Sequence, residues 1–173
     1  MTQTVELIPV DEDGLQVLER LTQDPASTGE FAWFGWSDPG RYRRRWAENG
    51  LFGEDGGFLL VVRGAERLGF VNWRRRPMTP GAFSWEIGIA IAPEARGQGH
   101  GTLAQRLLAR YLFAHTTAHR IEAATEADNL AEQRALEKAG FTREGVRRAA
   151  GWRDGTWRDG VIYSILRTDP AAG

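Results

Sequence analysis

The chain changes its hydrophobic period several times, and each change marks an element. Val5, Leu7 and Pro9 alternate in a short first strand, and Asp11 stands where it can cap a helix with Leu15, Leu18 and Leu21 on one face. Residues 29–40, GEFAWFGWSDPG, break the period with four aromatics set among glycines. Ser37, Asp38 and Pro39 read as the start of a second helix that runs to about Asn49 and Gly50. Residues 58–63 (FLLVVR) and 68–73 (LGFVNW) are β-prone runs joined by a GAER turn, which predicts a hairpin. From Gly81 to Ala92, bulky Trp85, Ile87, Ile89 and Ile91 alternate with Glu86, Gly88, Ala90 and Ala92, a third strand with one core face and one open face.

Past a glycine-rich stretch, Leu103, Leu107, Leu108, Tyr111 and Leu112 recur at helical spacing to about His115. Arg120 to Thr125 (RIEAAT) reads as a strand and Ala131 to Ala139 as a helix closed by Gly140. From Phe141 two strands turn near Asp154 and Gly155. This order predicts a single α+β domain over residues 1–173, a mixed sheet with helices interleaved.

Composition narrows the chemistry. The chain has no cysteine, which excludes disulfides, a thiolate nucleophile and a Cys-based zinc site. His100, His115 and His119 show no metal-ligand spacing, so no metal is expected. The N-terminal MTQTVELIPVDEDG lacks a basic segment followed by an apolar run, and no stretch approaches the roughly 18 apolar residues of a membrane span. A cytoplasmic protein without a membrane partner is the expectation. The net charge of −1 gives no bulk attraction to nucleic acid, although Lys138 is the only lysine among many arginines. The clusters at Arg41 and Arg43 to Arg45, at Arg74 to Arg76, and at Arg147, Arg148, Arg153 and Arg158 read as solvated faces paired with acids.

Residues 93–105, PEARGQGHGTLAQ, carry the sharpest signal. A strand, a glycine-rich turn and a helix start present unpaired backbone N–H groups at the positive end of a helix dipole, a ready anion site. A Walker loop would need a lysine after the last glycine, and His100-Gly101-Thr102-Leu103 offers none. The dinucleotide fingerprint starting from Gly97 would need a third glycine at Thr102. What fits is Arg96-x-x-Gly99-x-Gly101.

That loop resembles the pyrophosphate loop of the GNAT superfamily of N-acetyltransferases. WEIGIAIAPEARGQGHGTLAQRLL is similar to the strand, loop and helix that hold acyl-coenzyme A there, and HRIEAATEADNLAEQRALEKAGFTREG to the strand and helix that follow. Asn129 with the Glu137-Lys138-Ala139-Gly140-Phe141 ending resembles the RimJ/RimL-like branch. The resemblance covers roughly residues 84–146. It implies a GNAT fold, a mostly antiparallel sheet splayed at the acyl-CoA site, with acetyl-CoA as co-substrate and no metal. By the same resemblance, the backbone of Gln98, Gly99, His100, Gly101 and Thr102 holds the diphosphate, with Arg96 and Gly97 shaping the turn. Ile89 and Ile91 pair their backbone with the pantetheine arm, and Asn129 contacts that arm or the acyl end.

Glu86, on the face shared with Gly88 and Ala90, is the candidate base for the amine; the alternative is a carboxylate paired with arginine. For the leaving thiolate the chain departs from its relatives. Leu136 stands where many carry a tyrosine, and Glu132 where RimL-like members often carry a serine. Water, Tyr111, Tyr163 or Glu132 then protonates the sulfur, or the donor is not an ordinary acetyl thioester. Trp33, Trp36 and Trp85 are candidate acceptor contacts, with Phe34 and Trp46 as further apolar walls and Arg74 to Arg76 and Arg153 as anchors for an acidic group. A small amine and a ribosomal-protein N-terminus both stay open as acceptor. An aminoacyl-tRNA-dependent transferase on the same fold, which would make tRNA a partner, and a non-catalytic acyl-CoA-binding domain are the rivals. A homodimer is plausible for relatives of this kind.

Overall fold

The computed structural model describes residues 4–170, so the two ends of the predicted domain, residues 1–3 and 171–173, lie outside the described residues. In chain order the elements are β1 (Val5–Pro9), α1 (Glu12–Gln23), α2 (Pro25–Thr28), α3 (Arg41–Asn49), β2 (Phe52–Gly53), β3 (Gly56–Arg63), β4 (Glu66–Pro77) and β5 (Phe83–Ile91). They continue with α4 (His100–His115), β6 (Arg120–Glu126), α5 (Leu130–Ala139), β7 (Thr142–Arg153) and β8 (Thr156–Leu166). The eight strands form one sheet in the spatial order β1-β3-β4-β5-β6-β8-β7, with β2 against β3.

Both faces of this sheet are covered, and the sequence shows why. In β3 the run from Phe58 to Val62 is apolar at every position because alternate residues enter two different cores. Leu59 and Val61 join the cluster under α4 and α5, with Leu108, Leu112, Leu136 and Tyr163. Phe58, Leu60 and Val62 join the cluster under α1, with Leu15, Leu18 and Leu21.

Local signals set most boundaries. Asp11 Oδ1 accepts the Gly14 N–H at 2.7 Å and starts α1. Gly140 closes α5 in the left-handed region at φ 100°, and Asp154 and Gly155 turn the last hairpin at φ 50° and 73°. Several elements differ from the sequence expectation: β3 begins at Gly56, β4 spans Glu66–Pro77, β5 spans Phe83–Ile91, and the two-residue β2 is added. The short α2 was not expected, although its signal is present: Asp24 accepts the N–H groups of Ala26 and Ser27, with Pro25 in the first turn. The α3 helix begins at Arg41 rather than at Pro39, because Asp38 Oδ1 takes the Gly40 N–H at 3.0 Å and holds that stretch in a turn.

The feature that positions the site is where pairing stops. β5 and β6 are the one parallel pair among the described strands, and they pair only from Trp85↔Ile121 to Ile87↔Ala123. Beyond that point β5 runs on to Ile91 while paired with β4 alone, and β6 runs on to Glu126 while paired with β8 alone. The sheet is open between them.

Asp11 both caps α1 and pairs with Arg67 at 2.5 Å. Asp11→Ala should cost about 1 kcal/mol of stability, while Asp11→Asn keeps the cap and loses much less. Urea midpoints at an unchanged m-value would check this, and equal losses in the two variants would show that the ion pair, not the cap, holds the helix.

Candidate functional site

A single turn of 3-10 helix at Pro93–Ala95 leads from the open end of β5 into the glycine stretch. Gly97 and Gly99 sit at φ 73° and 82°, in the left-handed region where a Cβ is strained, and nothing lies within 4 Å of where either Cβ would stand. Helix α4 starts at His100 without a side-chain cap, so its first N–H groups face an open glycine turn. A methyl at Gly101 would lie 3.8 Å from Ile89 Cδ1 and 3.9 Å from Ile91 Cγ1, which places the helix start directly beside the unpaired part of β5.

Arg96 is a strut. Its Nε donates to Ile91 O at 2.8 Å and its Nη2 to Ser27 O at 2.6 Å, tying the loop to the end of β5 and to α2. Gln98 Nε2 donates to Glu94 O at 3.2 Å. His100 is buried at 6% exposure; its Nε2 lies 3.4 Å from Arg63 Nη1 and its Nδ1 has no partner. Burial and the Arg63 charge push its pKa down, which favours the neutral imidazole.

Where β5 and β6 part, a cavity of about 740 Å³ opens. The β5 residues Ile87 to Ala90 form one wall, facing Ala123 to Glu126 of β6. The aromatic segment from Phe31 to Ser37 forms another, and Arg147, Arg158 and Asp159 of the last hairpin a third.

Gln105, Asn129 and Glu132 line the same cavity where α4 meets the start of α5. Asn129 Oδ1 caps α5 by accepting the Glu132 N–H at 3.3 Å, and its Nδ2 donates to Thr125 Oγ1 at 3.0 Å. Glu132 is the unusual group. Burial drives its pKa up to about 7, opposed by a 2.5 Å hydrogen bond from Gln105 Nε2. Gln105 is itself 1% exposed, and its Oε1 has no partner. A carboxyl that keeps its proton close to neutral pH, in a cavity, is an acid available for chemistry.

A family model described as acetyltransferase (GNAT) domain matches residues 4–142. The chain belongs to the GNAT acetyltransferase family. Probable N-acetyltransferase YjcK of Bacillus subtilis is 40% identical over 83 residues, covering 48% of this chain and 46% of YjcK, so the match spans about half the length of that relative. Among solved structures, spermidine N-acetyltransferase from Vibrio cholerae in complex with CoA and spermine superposes with a TM-score of 0.82 at 18% identity, covering 95% of this chain and 96% of that one. RimJ of Mycobacterium smegmatis in complex with CoA-disulfide gives 0.78 at 22% identity, covering 97% of this chain and 86% of that one. The fold expected from the sequence is therefore the fold found. Among the described residues no group of His, Asp and Glu is arranged to hold a metal ion, and no helix is long and apolar enough to cross a membrane.

Within this GNAT frame the structure brings several expected residues together and sends others away. Ile89 and Asn129 line the cavity, as do Trp33 and Trp36. Trp85 does not: it is 5% exposed in the core beside α4, with Nε1 donating to Thr116 Oγ1 at 3.0 Å. The alternation of β5 turns Trp85 to the helix side. Glu86 lies outside the cavity lining. Its carboxylate receives Arg74 Nη2 at 2.5 Å and Arg76 Nε at 3.0 Å, so the ion-paired alternative is the arrangement found.

Arg153, weighed as an anchor, is consumed by Glu126 at 2.5 and 2.9 Å. Trp46 is turned toward the α1 core, with Nε1 on Val10 O at 2.7 Å. Of the groups weighed as thiolate acids, Tyr163 is fully buried and donates to Glu137 at 3.0 Å, and Tyr111 packs on Trp73 and His115. Glu132 lines the cavity.

The raised pKa of Glu132 fixes a sign for stability. The folded state holds this proton up to about pH 7 and the unfolded chain releases it near 4.5, so stability is lost as pH rises through that window and is level above it. The loss attributable to Glu132 is bounded at about 3 kcal/mol. Glu132→Gln should remove it, read as a smaller drop in urea midpoint between pH 5 and pH 8 than in the wild type. Identical drops would show that Glu132 titrates normally.

Proposed function

We propose that the protein is an acyl-CoA-dependent N-acetyltransferase that moves an acetyl group from acetyl-CoA to a primary amine by direct attack in a ternary complex. The observation that carries this reading is the meeting of the uncapped start of α4 with the unpaired edge of β5. Acetyl-CoA suits that junction, because it combines a diphosphate with amide groups on an extended arm and supplies a thioester carbonyl. The N–H groups of residues 98–102 would hold the diphosphate, aided by the helix dipole, with Gly97 and Gly99 giving it access. The backbone of Ile89 and Ile91 would pair with the arm in place of a neighbouring strand, the Ile91 carbonyl also accepting from Arg96. Asn129 lines the acyl end while capping α5.

The amine nitrogen forms its bond to the acyl carbon, the carbon–sulfur bond breaks, and the departing sulfur needs a proton. Glu132 holds one on a carboxyl oxygen in the cavity wall and delivers it there. The proton lost by the amine leaves through water at the open side of the cavity. The chain offers no cysteine for a covalent acyl-enzyme.

Gly99→Val should weaken acetyl-CoA binding by about tenfold or more, because a β-branched residue is strained at φ 82° and its side chain occupies the anion space. Calorimetry on a variant with an intact far-UV spectrum would test it, and unaltered binding would remove the loop from the site. Glu132→Gln should lower kcat on the order of 10²-fold with little change in acetyl-CoA affinity. The wild-type rate should fall as pH rises through about 7, where Glu132 gives up its proton, and the variant should lack that limb. The same limb in both would assign the proton to another group.

A further inference from the structure

Most arginines in this protein are already spoken for. Arg153 forks onto Glu126, Arg120 onto Glu144, Arg43 onto Glu19, and Arg74 and Arg76 share Glu86. Arg147 and Arg158 are the exceptions on the cavity wall: neither forms a hydrogen bond or ion pair among the described residues, although the Arg158 charge helps Arg153 hold the Glu126 pKa down, and Arg158 Nε is buried without a partner. A buried N–H donor left unpaired is costly, so its retention asks for a ligand.

The backbone explains how the two come to share that wall. β7 and β8 pair Arg147 with Gly160 and Gly151 with Arg158, and the register shifts between Arg147 and Gly151. The surplus residues bulge, with Ala149 at φ 47° and its N–H held by Asp159 Oδ1 at 2.8 Å. Each of the two arginines is paired across the hairpin with a glycine, which adds no side chain of its own to that wall. The acid beside them, Asp159, is engaged with the bulge, and Glu126 is engaged by Arg153.

We infer that the acceptor is a small primary amine that also carries an acidic group, bound by the Arg147 and Arg158 guanidiniums, with an apolar body lying on the aromatic segment of Phe31 to Trp36. This deepens the acetyl-transfer reading and rests on it. A guanidinium pair suits the paired oxygens of a carboxylate or phosphate. Trp33 and Trp36 meet edge to face at 5.1 Å, and Trp36 and Phe34 remain 78% and 68% exposed although they line the cavity, a surface suited to an apolar group. The cavity of about 740 Å³ must take the acyl end of the donor as well, which leaves room for a small molecule rather than a folded chain end. A polyamine would set like charges against Arg41, Arg147 and Arg158.

The test is thiol release at saturating acetyl-CoA with matched amines: phenylalanine against 2-phenylethylamine, O-phosphoethanolamine against ethanolamine, and spermidine and an alanyl tetrapeptide besides. The acidic member of at least one pair should have kcat/KM about tenfold or more above its neutral partner, and which pair responds separates carboxylate from phosphate. Arg158→Gln and Arg147→Gln should each raise KM for that acid by about tenfold with kcat and acetyl-CoA affinity little changed, and the penalty should shrink for the neutral partner. If Arg158→Gln fails to fold, Arg158→Lys keeps the charge but loses the fork and should show a smaller rise in KM.

Preference for a neutral amine, for spermidine or for the peptide overturns the inference while leaving acetyl transfer standing. So do arginine variants that penalise both members of a pair equally. If acetyl-CoA binds and no amine is turned over, calorimetry of the two acids on the CoA-bound protein decides, and no binding of either overturns it. Failure to bind acetyl-CoA overturns the transferase reading itself and this inference with it.

Discussion

Backbone N–H and C=O groups in the middle of a sheet must find partners, and past Ile87 those on one side of β5 find none in β6. In a sheet covered on both faces by helices this is an expensive arrangement, because the opening lies where hydrophobic cover would otherwise be continuous. The rest of the site follows from it. The cavity exists because the strands part, the glycine turn begins where β5 ends, and α5 is capped by Asn129 where β6 ends. Arg96 ties the glycine loop to the end of β5 and to α2 by taking the Ile91 and Ser27 carbonyls at once. An extended ligand with amide groups would supply what the missing strand does not.

The electrostatics of the cavity depend on which charges are already matched. Glu86 looks from the strand pattern like a free carboxylate beside small neighbours, and the cross-strand position of Arg74 removes that freedom. Glu132 is in the sequence one of several candidate acids for the sulfur, and burial, opposed by the Gln105 hydrogen bond, makes it the carboxyl whose pKa rises to about 7. The same logic divides the arginines: many are paired with acids, and the two placed across from glycines on the bulged hairpin form no hydrogen bond or ion pair among the described residues.

Two kinds of signal were legible in advance. Period and punctuation gave the elements to within a few residues, because caps, left-handed glycines and alternating strands act over a handful of positions: Asp11 at α1, Gly140 at α5, Asp154 and Gly155 at the final turn. The glycine spacing of residues 97–101 was legible for the same reason, since positive φ and an uncapped helix start are properties of the local chain. The short α2 carried a readable Asp24-Pro25 start, but four residues give no hydrophobic period to confirm it.

The sequence by itself thus determined the fold class, the glycine turn before α4 and the family, all of which rest on interactions between near neighbours or on spacing along one element. Only the tertiary structure decided which side chains face the cavity. Trp85 went to the core, as the alternation of β5 implied, and Trp33 to the cavity; Glu86 went to two arginines and Glu132 to the cavity wall, fates that their immediate sequence does not distinguish. The physical reason is that burial and charge pairing are properties of residues brought together from distant positions: Gln105 meets Glu132 across 27 positions, and Arg153 meets Glu126 across the same separation.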